Sequence, residues 1–378
     1  MKKILAFLLG LILTLAVLFV SFDSPFSGTD ITNPPTGMPT TVPTPSPSSP
    51  TDTIPQVIEL PMSAIVLTEQ TEWSRDENGV VYFSYIYPNI RLFLNDASVS
   101  ETVTLDLLNR IDGTRTKANS VRQDAASLSG VTCFYQVRYA PQRIDSAILS
   151  LSATMTSFSG GAHPGSACAG ITYDLLTGTC LTLDDVLTDA CTPDVLCRLV
   201  VDALESIRTD GLLYEDYTVS VEDRFSGNYL YDDSWYLSNA GLCFSFEPYE
   251  IGPYSSGTIT AVIPYHRLPG YLEDAYFPPE QISAPGKLII RDSEADNMET
   301  DLTLAEVILD PESEALLIHT DGVLYQVTIQ TLYPQPSTIF AADQLTPGSA
   351  ILLRGDPKNL QISYIVDGET VTQPISAT

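Results

Sequence analysis

The chain has 378 residues, with 47 acidic side chains against 18 basic ones and a formal net charge of −29. A nucleic-acid binder needs a basic face to neutralise phosphates, and a polytopic membrane protein needs several long apolar runs; the composition excludes the first, and the single apolar run excludes the second. With 44% hydrophobic residues the chain is not wholly disordered, and its length suits about two folded domains.

At the N-terminus Lys2 and Lys3 precede an apolar run from Ile4 to Val20, broken only by Gly10 and Thr14. This is the pattern of an export signal that just reaches a membrane span. No A-x-A-like cleavage site follows, and no cysteine lies nearby to accept a lipid. Residues 1–22 therefore read as a membrane anchor, with a cleaved signal as the alternative. The expected location is the cell membrane, single-pass with an extracellular C-terminal region, or secreted if the signal is cleaved. Residues 23–56, as in TTVPTPSPSSPTDTIP, form a Pro/Ser/Thr-rich disordered stalk.

From 57 to 150 the pattern predicts a smaller α+β unit. SAIVLTEQTEW and VVYFSYIYPNIRLF are β-rich. Ser98 and Ser100 offer caps for a helix through Val103, Leu105, Leu107, Leu108 and Ile111. VTCFYQVRYA and SAILSLSATMTSF read as strands. A second α+β domain spans 151–275. Its ITYDLLTGTCLTL stretch reads as a hairpin turning at Gly178. Thr192-Pro193-Asp194 starts a helix whose apolar face is Leu196, Leu199, Val200, Leu204 and Ile207, with Gly211 as its stop. GLCFSF and GTITAVIPY close the domain as strands. The fold class is α+β, antiparallel sheets with packed helices, because the helices are too widely spaced for regular βαβ units.

Residues 284–376 read as a small, separate all-β module. KLIIRD, EALLIHT, VLYQVTIQTLY, AILLRG and LQISYIV are short strands, and TLAEVI is ambiguous. Asp321-Gly322 and Asp367-Gly368 are hairpin signals.

All six cysteines, Cys133, Cys168, Cys180, Cys191, Cys197 and Cys243, precede this module. An even count in an exported chain invites disulfides, and sequence does not choose the pairing. Cys191 and Cys197 suit a small local loop, and Cys168 and Cys180 flank one hairpin. Buried free thiols are the other reading. No CxxC or other ligand spacing is present, so neither a metal site nor a cofactor is expected.

Several motifs have a chemical and a plain reading. His163, in Gly160-Gly161-Ala162-His163-Pro164, is either a ligand or acid–base group or, as favoured, a turn histidine bonded to backbone. Tyr249, Glu250, Ile251, Pro253 and Tyr254 make a shaped loop between two strands, either a contact surface or a rigid connection. Asp184-Asp185 are read as acids at a helix N-terminus rather than a calcium site. DSEADNMETD (292–301) is read as a solvated acidic loop, and Arg354-Gly355-Asp356 as a β-turn.

Two blocks carry a family resemblance. SFSGGAHPGSACAGITYDLLTGTCLTLDDVL resembles the pattern Y-x-GGAHP…FD-x-TG-x-x-L-x-L-x-D-x-F. SWYLSNAGLCFSFEPYEIGPYSSGTITAVIPYHRL resembles FYL-x-x-x-GL-x-F-x-F-x-PYEIAPYAAG-x-x-x-V-x-IPY-x-x-L. Together they resemble the extracellular domain shared by RsiV-type anti-sigma factors, which bind lysozyme, and the non-catalytic part of PdaC-type peptidoglycan deacetylases. The resemblance implies a composite domain in which residues 57–150 are the PdaC-like unit and 151–275 the RsiV-like one. Here Phe158-Ser159 stand at the aromatic before GGAHP, and Gly252, Ser255 and Ser256 replace alanines. Only three residues precede the apolar run, so a sigma-binding role is not carried over, and no deacetylase domain is present.

The expected function is therefore a non-enzymatic, membrane-tethered binding protein of the bacterial cell envelope. The resemblance points to lysozyme, and the acidic charge to a basic protein of that kind; the cell wall is a further expected contact, and nucleic acid is not. An envelope enzyme acting on peptidoglycan or glycan, and a structural spacer in a surface assembly, are the alternatives.

Overall fold

The computed structural model describes residues 63–128, 130–226, 233–279, 286–292, 303–333 and 336–376. The apolar run and the Pro/Ser/Thr stretch lie outside these residues, as does most of the 292–301 acidic loop. No helix among the described residues is long and apolar enough to cross a membrane.

The first layer is a long hairpin of β1 (Ala64–Arg75) and β2 (Val81–Phe93), followed by helix α1 (Ala97–Ala125) and strands β3 (Cys133–Ile144), β4 (Ile148–Phe158) and β5 (Gly165–Asp174). Strands β2 and β3 pair in parallel, from Phe83↔Cys133 to Ile86↔Gln136, and α1 makes the crossover such a pair needs. Asp96, not a serine, caps α1 by accepting from the Ser98 and Val99 amides. The buried face of α1 runs through Val99, Val103, Leu107 and Ile111. Leu105 and Leu108, within the same apolar stretch, point outward at 58% and 41% exposure. The i, i+4 series from Val99 takes precedence because it is the one facing Tyr85, Tyr135 and Leu149.

The second layer holds a short helix α2 (Leu183–Val186), α3 (Pro193–Ser206), α4 (Tyr217–Phe225) and a sheet of β6 (Trp235–Leu237), β7 (Gly241–Phe246) and β8 (Ile259–Pro264). Helix α3 starts where Thr-Pro-Asp predicts, with Pro193 in its first turn. It ends at Ser206, so Ile207 is a half-exposed cap and Gly211 a later turn residue with φ 77°. Asp185 accepts from both the Thr182 amide and its hydroxyl, which makes Asp184-Asp185 a helix start as expected. Leu199, Leu204, Phe225, Phe244 and Ile259 share this layer's core, with the Phe225 and Phe244 rings edge to face at 5.2 Å.

The C-terminal strands are all β, as expected. Thr303–Ile308, left ambiguous by its sequence, is a strand. Strands β9 (Leu288–Asp292), β10 (Thr303–Ile308), β11 (Ala315–Thr320) and β14 (Ser349–Arg354) form one sheet in the order β10-β14-β11-β9. Strands β12 (Leu324–Thr331), β13 (Ser337–Leu345), β15 (Leu360–Val366) and β16 (Glu369–Pro374) lie in the other. Asp367-Gly368 turns the β15–β16 hairpin, both with positive φ. Asp321-Gly322 does not turn a hairpin. It passes the chain from β11 in one sheet to β12 in the other.

These strands are not a separate module. Strand β13 pairs with β1 through Ala64↔Ala342, Ile65↔Ala341 and Val66↔Phe340, so one nine-stranded sheet runs β16-β15-β12-β13-β1-β2-β3-β4-β5. Alternation on β1 does the joining. Ala64 and Val66 enter the C-terminal core, while Ile65 and Leu67 enter the core beneath α1. The unbroken apolar run AIVL marks a strand buried on both faces.

Candidate functional site

The two motif blocks meet. The β4–β5 turn carries Gly160-Gly161-Ala162-His163-Pro164, and the β7–β8 connection carries Tyr249 to Tyr254. His163 stacks on Tyr254, with ring centroids 3.8 Å apart and planes 24° apart. The Tyr249 ring lies 5.7 Å from that of Tyr254 and 6.1 Å from that of His163. Tyr254 donates to the Pro164 carbonyl at 3.0 Å. His163 Nδ1 stands 3.1 Å from that same carbonyl, which can only accept, so Nδ1 carries the proton. In the neutral ring Nε2 is then the acceptor for the Tyr249 hydroxyl at 3.2 Å. The backbone-bonded reading of His163 and its placement beside the tyrosine loop are both present. Tyr249 is 57% exposed, so the cluster faces solvent.

The loop is held from beneath. Ile251 is fully buried, and its carbonyl accepts from the Tyr214 amide. Gly252 leaves no room for a side chain, since a Cβ there would lie 2.3 Å from the Leu212 carbonyl oxygen. The alanine of the family pattern at this position would not fit this backbone. Tyr249 adopts φ 75°, a left-handed conformation that costs a tyrosine about 1–2 kcal/mol. Its amide donates to the Gly252 carbonyl across the tight turn.

Arg224, at the end of α4, supplies the electrostatic anchor. It donates to the Ser245 carbonyl at 2.9 Å and to Glu250 Oε1 at 3.1 Å, and its guanidinium lies 4.4 Å from the centre of the Phe246 ring. Glu250 Oε2 accepts from the Glu247 amide at 2.8 Å. Glu250 is thus a loop fastener rather than an outward acid. Burial pushes the Glu247 carboxyl up, with the neighbouring Glu250 and Asp233 charges adding to it. Nothing in the sequence signals Arg224, because its partner is 26 residues away and its helix carries a weak pattern. Leu128, beyond α1, is a second unforeseen neighbour. It is 38% exposed, and a Cβ on Gly160 would sit 3.3 Å from its Cδ1.

No disulfide joins the six cysteines in the structure. Tyr173 bridges to Cys180, which leaves Cys168 five strand positions away, roughly 17 Å at the rise of a β-strand. A disulfide needs Cα atoms within about 7 Å. Cys191 and Cys243 are buried, and burial pushes each thiol up to about 11. Among the described residues no three His, Cys, Asp or Glu side chains are placed to hold a metal ion.

The cluster offers aromatic faces, one imidazole already engaged by the Tyr249 hydroxyl, and an acidic base fastened by Arg224. Such a surface suits contact, cation–π stacking and hydrogen bonding.

No curated protein matches the chain. Solved structures similar to the chain include two at 16% identity in each case. One is a DUF3298 family protein from Pseudomonas aeruginosa PAO1, with a TM-score of 0.41, covering 57% of this chain and 97% of that one. The other is a DUF3298 family member from Bacteroides fragilis, with a TM-score of 0.39, covering 56% and 94%. Residues 207–266, which include α4, the whole Tyr249–Tyr254 loop and β8, match the family described as protein of unknown function (DUF3298).

Proposed function

We propose that the chain is a non-enzymatic receptor of the cell envelope, tethered by its N-terminal apolar run, that binds a basic protein through the His163–Tyr249–Tyr254 cluster. The observation that carries this reading is the exposed three-ring cluster assembled from two distant sequence blocks and held rigid by Arg224–Glu250. Rigid tyrosines give contact area at low entropic cost, and their faces take Arg or Lys side chains of a partner. The net charge of −29 supports a cationic partner by speeding encounter. The resemblance of both blocks to RsiV-type ectodomains makes lysozyme the first protein to try.

The test is calorimetric titration of the purified chain with lysozyme at low and high ionic strength. Binding at low salt that weakens as salt rises is expected. Tyr249→Ala and Tyr254→Ala should each weaken it by about thirtyfold, the scale of an interface hot spot near 2 kcal/mol. Absence of heat at low ionic strength, or binding that both variants leave intact, would sink the reading.

A further inference from the structure

A second surface, independent of the aromatic cluster, lies on the face of the sheet opposite α1. Register places Gln136 against Thr156, Arg138 against Thr154 and Ala140 against Ser152 on β3 and β4. Alternation aims these side chains to one side, since Tyr135, Val137 and Tyr139 between them belong to the core beneath α1. The β12–β13 hairpin forms the facing wall with Gln330, Ser337 and Thr338, and Gln330 donates to the Thr338 hydroxyl at 3.1 Å. The walls enclose a cavity of about 410 Å³ whose lining, among the described residues, holds no carboxylate. Its single cation, Arg138, is balanced by Glu69 at 3.5 Å.

A smaller cavity of about 220 Å³ continues the seam and shares Arg138, Ser337 and Thr338 with the first. It adds an apolar notch of Leu309 and Ile339 beside the Tyr333 ring, which is 76% exposed, with Glu69 in its wall. The two parts ask for one ligand chemistry. A bed of hydroxyl and amide groups that both donate and accept matches sugar hydroxyls without needing charge. A short apolar notch beside that bed takes an acetyl methyl, and an exposed phenol takes a sugar face. An anionic polymer would meet only an arginine already held by Glu69. A cationic one would be drawn to the acidic surface instead.

The geometry points to an uncharged, N-acetylated oligosaccharide bound in the seam between the β3–β4 ladder and the β12–β13 hairpin. The site would let the protein hold a glycan and a protein partner on separate surfaces.

The experiment titrates the full chain with a short N-acetylglucosamine oligomer, using its de-N-acetylated counterpart as the charge control, at low and high salt. Binding of the acetylated oligomer with an affinity insensitive to salt is expected. The double variant Thr154→Val/Thr338→Val and the single variant Tyr333→Ala should each weaken it by about tenfold, as loss of one or two net hydrogen bonds or a stacking contact implies. Tyr249→Ala should leave it unchanged, which separates this site from the aromatic cluster. Far-ultraviolet circular dichroism confirms that the variants fold, and Tyr333→Ala, altering an exposed ring, serves if the cavity-lining pair does not. Three results overturn the proposal: no binding of the acetylated oligomer at millimolar concentration, binding confined to the de-N-acetylated oligomer and abolished by salt, or binding that none of these variants weakens.

Discussion

Two arginines each fasten a loop, one deep inside the molecule and one beneath its aromatic rim. Arg143 on β3 is 1% exposed. It pairs with Asp145 at 2.6 Å, donates to Tyr265 Oη at 2.9 Å and to the Tyr276 carbonyl, and reaches the Phe277 carbonyl at 3.2 Å. Asp145 accepts in turn from the amides of Ala147 and Ile148. Arg224 is 13% exposed, and its partner Glu250 is 32% exposed. The chemistry is the same, yet the surroundings separate the roles. A dry guanidinium with every partner fixed locks the chain where it leaves the second layer. A wetter one props up a surface that remains open to a visitor.

The largest expected effect tests the buried lock. Arg143→Met leaves Asp145 and two carbonyls without their donor and should cost about 3–5 kcal/mol, lowering the thermal midpoint by roughly 10 °C. A loss below about 1 kcal/mol in urea unfolding would show that the two arginines are not different in kind. Because Arg143 lies away from the rim, lysozyme affinity of the folded fraction should stay unchanged.

The lock has a titratable neighbour. Asp343 on β13 has one carboxylate oxygen shielded from solvent without a hydrogen-bond partner. Burial, with repulsion from Asp145 added, pushes its carboxyl up to about 8. The backbone amides of Ser63 and Gln344 act in the opposite sense. The unfolded chain releases this proton near 3.8, whereas the folded chain keeps it to about 8. Between those values the folded state holds the extra proton, so this group's contribution to stability falls as pH rises across the window. Asp343→Asn should remove that slope and stabilise the protein at pH 8 relative to pH 5 by on the order of 3–4 kcal/mol, read by urea unfolding at both values. Parallel pH profiles for variant and parent would exclude Asp343 as the source.

Much of the fold was legible in local pattern. The strands of β1 to β4, the Thr-Pro-Asp start of α3 and the Asp367-Gly368 hairpin each follow from spacing or turn chemistry within a few residues. What escaped is non-local. The AIVL run signals burial on both faces, but not that its partner on one side lies at residues 340–342. Asp321-Gly322 has the residues of a hairpin turn, yet each flanking strand finds a partner in a different sheet. The site divides in the same way. GGAHP and PYEIGPY are visible as shaped loops, whereas their stacking and the arginine beneath them depend on how β5 and β7 are brought together.

On the exposed side, Arg224→Ala removes the prop of the rim. The pair is partly solvated, so the expected stability loss is about 1 kcal/mol, well short of that for Arg143. Affinity should fall more than stability, because Glu250 loses its anchor and the Tyr249 turn gains freedom that binding must then remove. A variant that binds lysozyme as the parent does would show that Glu250 alone positions the turn.

The smallest expected effect gives the most direct separation of contact from conformation. Tyr249 holds φ 75°, where a residue with a Cβ is strained and glycine is not. Its ring is 57% exposed, so little burial is lost on removing it. Tyr249→Gly should therefore leave stability unchanged or raise it by about 1 kcal/mol, offset in part by the added entropy of the unfolded chain. Tyr249→Ala keeps the strain and should be the less stable of the two. Both lose the ring and should bind lysozyme equally poorly. A tyrosine kept in a costly conformation, against its own stability, is what a contact surface requires and a simple connecting loop does not. If instead the glycine variant proves less stable than the alanine one, the turn is maintained by the Tyr249–His163–Tyr254 packing itself, and the rim is structural rather than presented.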